Sequence, residues 1–169
     1  MIKTKKGMVP IFSGIIIILM SIILLGIIIE FGVGYFNTLE DQQIYNNNKV
    51  VLTTINNLLT NIKTSSIGTD MVIELRTDNP LLFDEENNSV IIEQDIRNDN
   101  LYTKTKDDLN YGNLNISKNK NKFIYTLDLN AMIDLNNSLN LNTGAHFIDF
   151  NIIGEINNIP VVQVTYKND

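Results

Sequence analysis

An uninterrupted apolar run near the N-terminus constrains this chain more than any other feature. The run Val9–Ile29 is 21 residues long and contains no charged side chain. A helix rises about 1.5 Å per residue, so about 20 apolar residues cross the hydrocarbon core of a bilayer, which is about 30 Å thick. We therefore predict one membrane-spanning helix, which we assign with its outer aromatic flank to residues 8–36.

The charges around this run predict its orientation. Lys3, Lys5 and Lys6 precede it, and no basic residue follows it before Lys49. Basic residues flanking a membrane helix favour the cytoplasmic side. We expect a single-pass protein of the cell membrane whose N-terminus is cytoplasmic and whose larger part lies outside the cell.

The part beyond the helix is acidic. The chain has 13 basic and 19 acidic residues, and without the three N-terminal lysines the balance is 10 − 19 = −9. Binding to nucleic acid requires Lys and Arg side chains that neutralise phosphates. We therefore predict no nucleic-acid partner.

A cleaved secretory signal would have a shorter apolar core, of about 7–15 residues, and a small-x-small exit. The run here is longer and no such exit follows it. The apolar helix is therefore expected to stay in the mature protein.

The order of residues before the run resembles the class III leader of type IV pilins. The basic segment ends at Gly7, and the apolar stretch begins directly at Met8. Pro10 would be the third mature residue, as in archaeal pilins. Phe12 occupies the fifth mature position, where bacterial pilins commonly have Glu, so the resemblance is to the archaeal type.

This resemblance implies a function and a set of partners. Residues 1–7 would be a leader that a prepilin peptidase removes between Gly7 and Met8. The mature chain would be stored in membrane lipid and then polymerise through its apolar helix. It would be a structural subunit, a major or minor pilin, of an archaeal type IV pilus-like surface filament. The other implied partners are further copies or related pilins, an assembly ATPase and its membrane platform. Cell adhesion is a function of such filaments.

Small residues within the run would let neighbouring helices approach closely. The candidates for this helix packing are Ser13, Gly14, Ser21 and Gly26. Ordinary membrane-helix composition explains the same residues equally well.

The next segment predicts that the helix continues outside the membrane. Residues 37–66 contain no Pro or Gly. Six apolar residues recur at a helical period on one face. They are Ile44, Val51, Ile55, Leu58, Leu59 and Ile62. We assign residues 37–68 to an amphipathic helix extension, weakened at residues 46–49 by poor helix formers and capped by Gly68.

Residues 69–169 change to the two-residue period of strands. A turn at residues 84–89 joins Leu81–Phe83 to Val90–Glu93, and residues 154–158 join Gly144–Ile153 to Ile159–Tyr166 as a second hairpin. Pro160 predicts an edge strand. The other predicted strands are Met71–Leu75 and Phe123–Leu129, and residues 98–121 are predicted to be loop with room for one short strand. The prediction is an α+β fold in which a long helix packs on a small antiparallel β-sheet or β-sandwich head.

No motif predicts an enzyme. The chain has no Cys and only one His, His146, in a predicted strand. It has no Gly-rich phosphate loop, no His-x-x-x-His pair and no Cys ligand set. Asp134, Asn136 and Ser138 have the oxygen spacing of a calcium loop but lack its turn Gly and its closing Glu. We expect no catalytic residue, no metal and no cofactor.

Three Asn-x-Ser sequons occur in predicted turns or polar loops. Their acceptors are Asn87, Asn115 and Asn136. A glycan can project into solvent from such positions, and we treat N-glycosylation, and hence a glycoprotein, as a hypothesis.

An alternative function belongs to another class. The chain could be a single-pass, membrane-anchored extracellular binding or accessory module that does not polymerise. A stator-like component of the archaeal motility filament is one form of this alternative. The mature N-terminus discriminates the two classes, because the filament subunit would begin at Met8 and the permanent anchor at Met1.

Overall fold

A computed structural model describes residues 8–62, 64–97, 112–135 and 139–167, with side chains from Phe12 onward. Within these residues the chain forms one helix followed by nine strands. The elements are α1 (Met8–Ile62), β1 (Asp70–Thr77), β2 (Leu81–Asp84), β3 (Ser89–Asp95), β4 (Leu114–Asn119), β5 (Lys122–Asp128), β6 (Met132–Asp134), β7 (Leu139–Leu141), β8 (Gly144–Ile156) and β9 (Ile159–Lys167). The predicted α+β architecture is confirmed.

The helix α1 is one continuous element of 55 residues, which includes both the apolar run and the amphipathic extension. It ends earlier than the sequence predicts. The N–H of Ser65 donates to the carbonyl oxygen of Ile62 at 2.8 Å, which closes the last turn. Gly68 is therefore not the helix cap. Its left-handed φ of 89° serves the turn into β1, where its N–H donates to the carbonyl oxygen of Ile152 at 2.8 Å.

The second half of α1 buries one face on the head. Ile55, Leu59 and Ile62 are buried there, as the helical period predicts. Tyr45 and Leu52 are buried on the same face, although the sequence analysis did not select them. This face contacts β1, β3 and β5, and thus both sheets of the head.

The nine strands form two sheets around one core. The order is β1-β8-β9-β6 in the first sheet and β4-β5-β3-β2-β7 in the second. The rings of Phe83 in β2 and Phe150 in β8 pack with centroids 6.2 Å apart and join the two sheets. The predicted hairpin of β2 and β3 is confirmed, with Leu81 opposite Ile92.

The first sheet contains one parallel pair of strands, and the other strand pairs of the described residues are antiparallel. The strands β6 and β9 pair in parallel, with Met132 opposite Val161. As a result β9 lies between two strands and is not an edge. Pro160 is nevertheless tolerated, because it lies outside the three residues of β9 that pair with β6.

The second predicted hairpin is present with a tighter turn than predicted. The strand β8 extends to Ile156, and the turn consists of Asn157 and Asn158 alone. Their φ angles of 54° and 65° are both left-handed, as a two-residue turn of this type requires. Asn tolerates this conformation better than most residues.

The described part of the predicted loop at residues 98–121 contains one strand, β4. Residues 98–111 lie outside the described residues. The three-residue strands β6 and β7 were not predicted, because so short a segment shows no period of its own.

Candidate membrane and assembly helix

The first half of α1 exposes its apolar side chains on all sides. Between Phe12 and Phe36, 18 large apolar residues are exposed, from 47% at Ile27 to 74% at Phe31. Burying such a side chain is worth about 1.5–3 kcal/mol, so leaving 18 in water costs on the order of 20 kcal/mol or more. This exceeds the net stability of a typical domain, about 5–15 kcal/mol. The segment therefore requires lipid or other protein around it.

This segment is a candidate membrane span. In the part of the chain that the structure describes, α1 is the one helix long and apolar enough to cross a bilayer, and it lies near the N-terminus. A single-pass membrane anchor is consistent with this helix.

An uncharged neck connects the span to the head. We use this name for residues 31–39, which follow Glu30 and contain no charged residue. Phe31, Tyr35 and Phe36 are 64–74% exposed there. Aromatic side chains suit the interface between lipid and water, which is where a helix spanning the membrane with residues 9–29 would place them.

The four small residues proposed for helix packing do not share one face. Each residue turns a helix by about 100°, which places Ser21 within about 20° of Gly14 and Gly26 about 120° away. A Cβ atom added at Gly14 or Gly26 would meet no atom within 4 Å. The hydroxyl of Ser21 donates to the carbonyl oxygen of Ile17 at 2.8 Å, and Ser13 is exposed.

Gly32 lies on the same face as Gly14 and Ser21, because it follows Gly14 by 18 residues, or five full turns. Gly32 was not among the residues selected from the sequence. Ser21 follows Gly14 by 7 residues and Gly32 follows Ser21 by 11 residues. These two spacings, each close to a whole number of helical turns, are the signal that could have identified this face.

The proposed leader site is only partly visible. Gly7 lies outside the described residues, and α1 begins at Met8. Cleavage between these two residues stays a prediction.

A buried polar cluster attaches α1 to the head. The side-chain amide of Gln94 in β3 donates to the backbone carbonyl oxygen of Asp41 at 3.0 Å. Its Oε1 accepts from Asn48 Nδ2 at 3.3 Å and from the hydroxyl of Tyr125 at 2.5 Å. We call these four residues the polar clamp; Asp41, Asn48 and Gln94 are 1% exposed and Tyr125 is fully buried.

The hydroxyl of Tyr125 in the polar clamp keeps its proton beyond the usual titration range of tyrosine. Burial raises the pKa of Tyr125 far above its usual value, more than the hydrogen bond with Asn48 lowers it. The hydroxyl therefore stays protonated and keeps donating to Gln94. Buried polar groups that bond to one another specify one arrangement of the elements that carry them, here helix and sheet. Among the described residues Asn48 Oδ1 has no hydrogen-bond partner, so the cluster is satisfied only in part.

The polar clamp was not predicted from the sequence. Asn48 was interpreted as a weak helix former, although it lies between buried Tyr45 and Leu52 at helical spacing. A polar residue on an apolar helix face, with Asp41 seven residues earlier on the same face, is the signal that could have identified the clamp.

The contacts between the head and α1 begin near Asp41. The Oδ2 of Asp41 accepts a hydrogen bond from the backbone N–H of Arg97 at 3.1 Å. The Arg97 guanidinium also pairs with Glu40 at 2.7 Å, and both side chains are 53% exposed. An exposed pair of this kind contributes at most about 1 kcal/mol. The backbone bond to the buried Asp41 is therefore the more important of the two.

The three sequons differ in their surroundings. Asn87 is exposed in the turn between β2 and β3, and its amide donates to Asp84 Oδ2 at 2.7 Å, while Ser89 of the same sequon is 2% exposed. Asn115 lies in β4 and not in a loop, contrary to the prediction, but its side chain is exposed at the edge of the sheet. Asn136 lies outside the described residues.

No arrangement of side chains for chemistry was found in the described residues. Among them, no group of three or more His, Asp or Glu residues could hold a metal ion. His146 lies in β8, and its Nε2 is 2.6 Å from the carbonyl oxygen of Asn142. Its ring packs edge-on against Tyr166 with centroids 5.9 Å apart. These contacts are those of a residue that shapes the end of the sheet.

Comparison with known proteins adds no assignment to this geometry. No protein-family model, no curated protein and no solved structure matches the chain.

Proposed function

We propose that the chain is a structural subunit of an archaeal type IV pilus-like surface filament. In this proposal residues 1–7 are a leader, and a prepilin peptidase removes them before Met8. The mature chain then waits in the membrane with its head outside the cell. An assembly ATPase and its membrane platform transfer it from lipid into the filament.

One observation carries this proposal, namely the 18 exposed apolar side chains of a helix that continues into the head without a break. A surface of this kind on all sides of a helix suits two environments, first lipid and then a bundle of identical helices. A plain anchor needs only lipid. The basic leader ending in Gly7 favours the first interpretation, because cleavage there would keep the helix in the mature chain.

The attachment of the helix to the head supports the same proposal. In a filament whose copies are joined through their helices, a force that acts on the head must be transmitted to the helix of the same copy. The polar clamp and the buried face from Tyr45 to Ile62 provide a rigid connection for this purpose. The acidic head would form the outer surface, where adhesion takes place.

Immunogold electron microscopy of the native organism tests the proposal. Antibodies raised against the head should decorate extracellular filaments, and a strain from which the gene is deleted should lose both the label and those filaments. Label confined to the cell envelope, with no labelled filament, would instead support a permanently anchored binding or accessory module.

A further inference from the structure

The end of the head farthest from the apolar run exposes four isoleucines. Ile67 is 65% exposed, Ile156 51%, Ile153 43% and Ile159 37%. We call this set the distal tip. Isolated apolar residues are normal on protein surfaces, whereas several at one end of a domain indicate a contact.

The local structure brings these residues together. Ile156 and Ile159 are paired on either side of the turn of the β8–β9 hairpin, and a bulge between Ile152 and Gly154 contains Ile153. The backbone of Ile152 bonds to Gly68 and Thr69, which holds Ile67 beside the hairpin.

The distal tip lies at the C-terminal end of α1. Ile62, the last residue of the helix, lines a cavity of about 100 Å³ together with Ile67 and Pro160. Ile62 follows Ile29 by 33 residues, or about 50 Å of helix. Lipid around the apolar run therefore does not reach the distal tip.

The neck is another exposed apolar surface of the described residues, and lipid covers it at most in part. Phe31, Tyr35 and Phe36 are at least 64% exposed, and Leu39 is 43% exposed. Before assembly these side chains suit the lipid–water interface. After the helix leaves the membrane, they require protein to cover them.

Charge favours contact between these two surfaces in particular. Copies of an acidic head repel one another. The electrostatic repulsion between two copies is therefore smallest where the contacting surfaces carry few charges. The neck contains no charged residue, and in the segments 64–69 and 152–160, which carry the four isoleucines of the distal tip, only Glu155 is charged.

We propose that the distal tip of one copy docks on the neck of another copy. This inference rests on the proposed function. The contact joins two different surfaces, and such head-to-tail contacts produce open filaments when the rotation does not close. Phe36 precedes Ile62 by 26 residues, so the two copies are offset along the helix axis by about 40 Å.

Disulfide trapping tests this contact, and the chain provides a clean background because it has no Cys. Filaments are prepared from full-length chains that carry Ile156→Cys together with Phe36→Cys and are then oxidised. We expect a ladder of covalent multimers, because each copy then bonds to two others. Each single-cysteine variant should give no ladder.

A matched pair controls for random collision. Val72→Cys on β1 is 42% exposed, and together with Phe36→Cys it should give no ladder. Filaments that form normally but give no ladder with Ile156→Cys and Phe36→Cys would overturn this inference alone. Equal ladders from both pairs would overturn it as well. Absence of filaments from the wild-type chain would instead overturn the proposed function.

A charge substitution tests the docking contact if the cysteine pair blocks filament assembly. Ile156→Glu adds a charge to the distal tip and should reduce the number of filaments at least tenfold, with an unchanged amount of chain in the membrane. Val50→Glu, at a 61% exposed position on α1 away from the distal tip and the neck, should leave filament number unchanged. Normal filaments with Ile156→Glu would overturn the docking contact.

Discussion

The side-chain amide of Gln94 and the backbone carbonyl of Asp41 form a buried hydrogen bond of 3.0 Å between β3 and α1. This bond connects the sheet to the helix near the point where the helix enters the head. The same Gln94 accepts hydrogen bonds from Asn48 and Tyr125. One side chain thus connects two positions of the helix with two strands.

Gln94→Leu should destabilise the head by about 2–4 kcal/mol, because it leaves the buried donors of Asn48 and Tyr125 without their acceptor. Urea unfolding of the full chain in detergent micelles, followed by tyrosine fluorescence, measures this change. Gln43→Leu is the matched control, since Gln43 is exposed on α1, the helix that Gln94 contacts. Equal stability of the two variants would contradict the role of the polar clamp.

The side chain of Asn88 connects the turn between β2 and β3 to the segment that follows β5, through hydrogen bonds to its backbone. Its side-chain amide donates to the carbonyl oxygens of Ala131 at 2.7 Å and Leu129 at 3.2 Å. Its Oδ1 accepts from the N–H of Ile133 at 3.0 Å, and its φ is 52°. The residue therefore serves both a left-handed backbone and three hydrogen bonds.

Two substitutions separate these roles. Asn88→Ala should cost about 2–4 kcal/mol of unfolding free energy, from lost hydrogen bonds and from a left-handed Ala. Asn88→Gly keeps the backbone relaxed and should cost about 1 kcal/mol less than Ala. Thermal or urea unfolding gives both values, with the exposed Asn115→Ala expected within about 0.5 kcal/mol of wild type. Identical costs for Ala and Gly would show that backbone conformation plays no part.

Asp149 in β8 predicts a pH dependence of stability. Burial and, after it, the neighbouring Asp70 raise the pKa of this carboxyl above its ordinary 3.8, and Lys167 opposes the shift. The folded state therefore keeps the proton longer than the unfolded state. Stability is lost as the pH rises from 3.8 through the higher folded pKa.

Asp149→Asn should remove this loss. Below pH 3.8 the Asp149 carboxyl contributes no difference between wild type and variant, and above the folded pKa the variant should be the more stable. Urea titrations at a series of pH values measure the difference, with Asp128→Asn, at an exposed position, as the control. A variant that loses stability relative to wild type as the pH rises would contradict the direction of the shift.

The face of α1 that carries Gly14, Ser21 and Gly32 predicts where helices approach each other. Gly14→Ile should reduce filament number about tenfold, since about 1.4 kcal/mol lost per contact lowers the association constant by that factor. Membrane insertion should be unchanged, because Ile is at least as apolar as Gly. Filament counts by electron microscopy and immunoblots of membranes measure the two effects. Gly26→Ile, on another face, is the control, and an equal loss from both would rule out a preferred face.

The sequence predicted the elements whose signal is long and local. The apolar run, the helical period up to Ile62 and the alternation at Phe123–Leu129 each repeat over several turns or residues. The fold class followed from these segments. The hairpin of β8 and β9 was also predicted, but its turn was placed too early, because Gly154 suggested a turn that Asn157 and Asn158 form instead.

What the sequence did not predict depends on partners far along the chain. Asn48 is buried only because Gln94, 46 residues later, bonds to it. The strand β6 has three residues and exists because Ile133 lies beside Val162 of β9. Gly68 was interpreted as a helix cap, whereas its left-handed backbone serves a bond to the distant Ile152. A local pattern marks at most one end of such a contact, as Asn48 does on an apolar helix face, and never its distant partner.

The central claim is that the apolar helix stays in the mature subunit and leaves lipid for contacts with other copies. Intact-mass and N-terminal mass spectrometry of the chain from sheared surface filaments tests it most directly. We expect filaments built from a chain that begins at Met8 and retains residues 8–36. A chain that begins at Met1 and occurs only in membranes, or a mature chain without this helix, would contradict it.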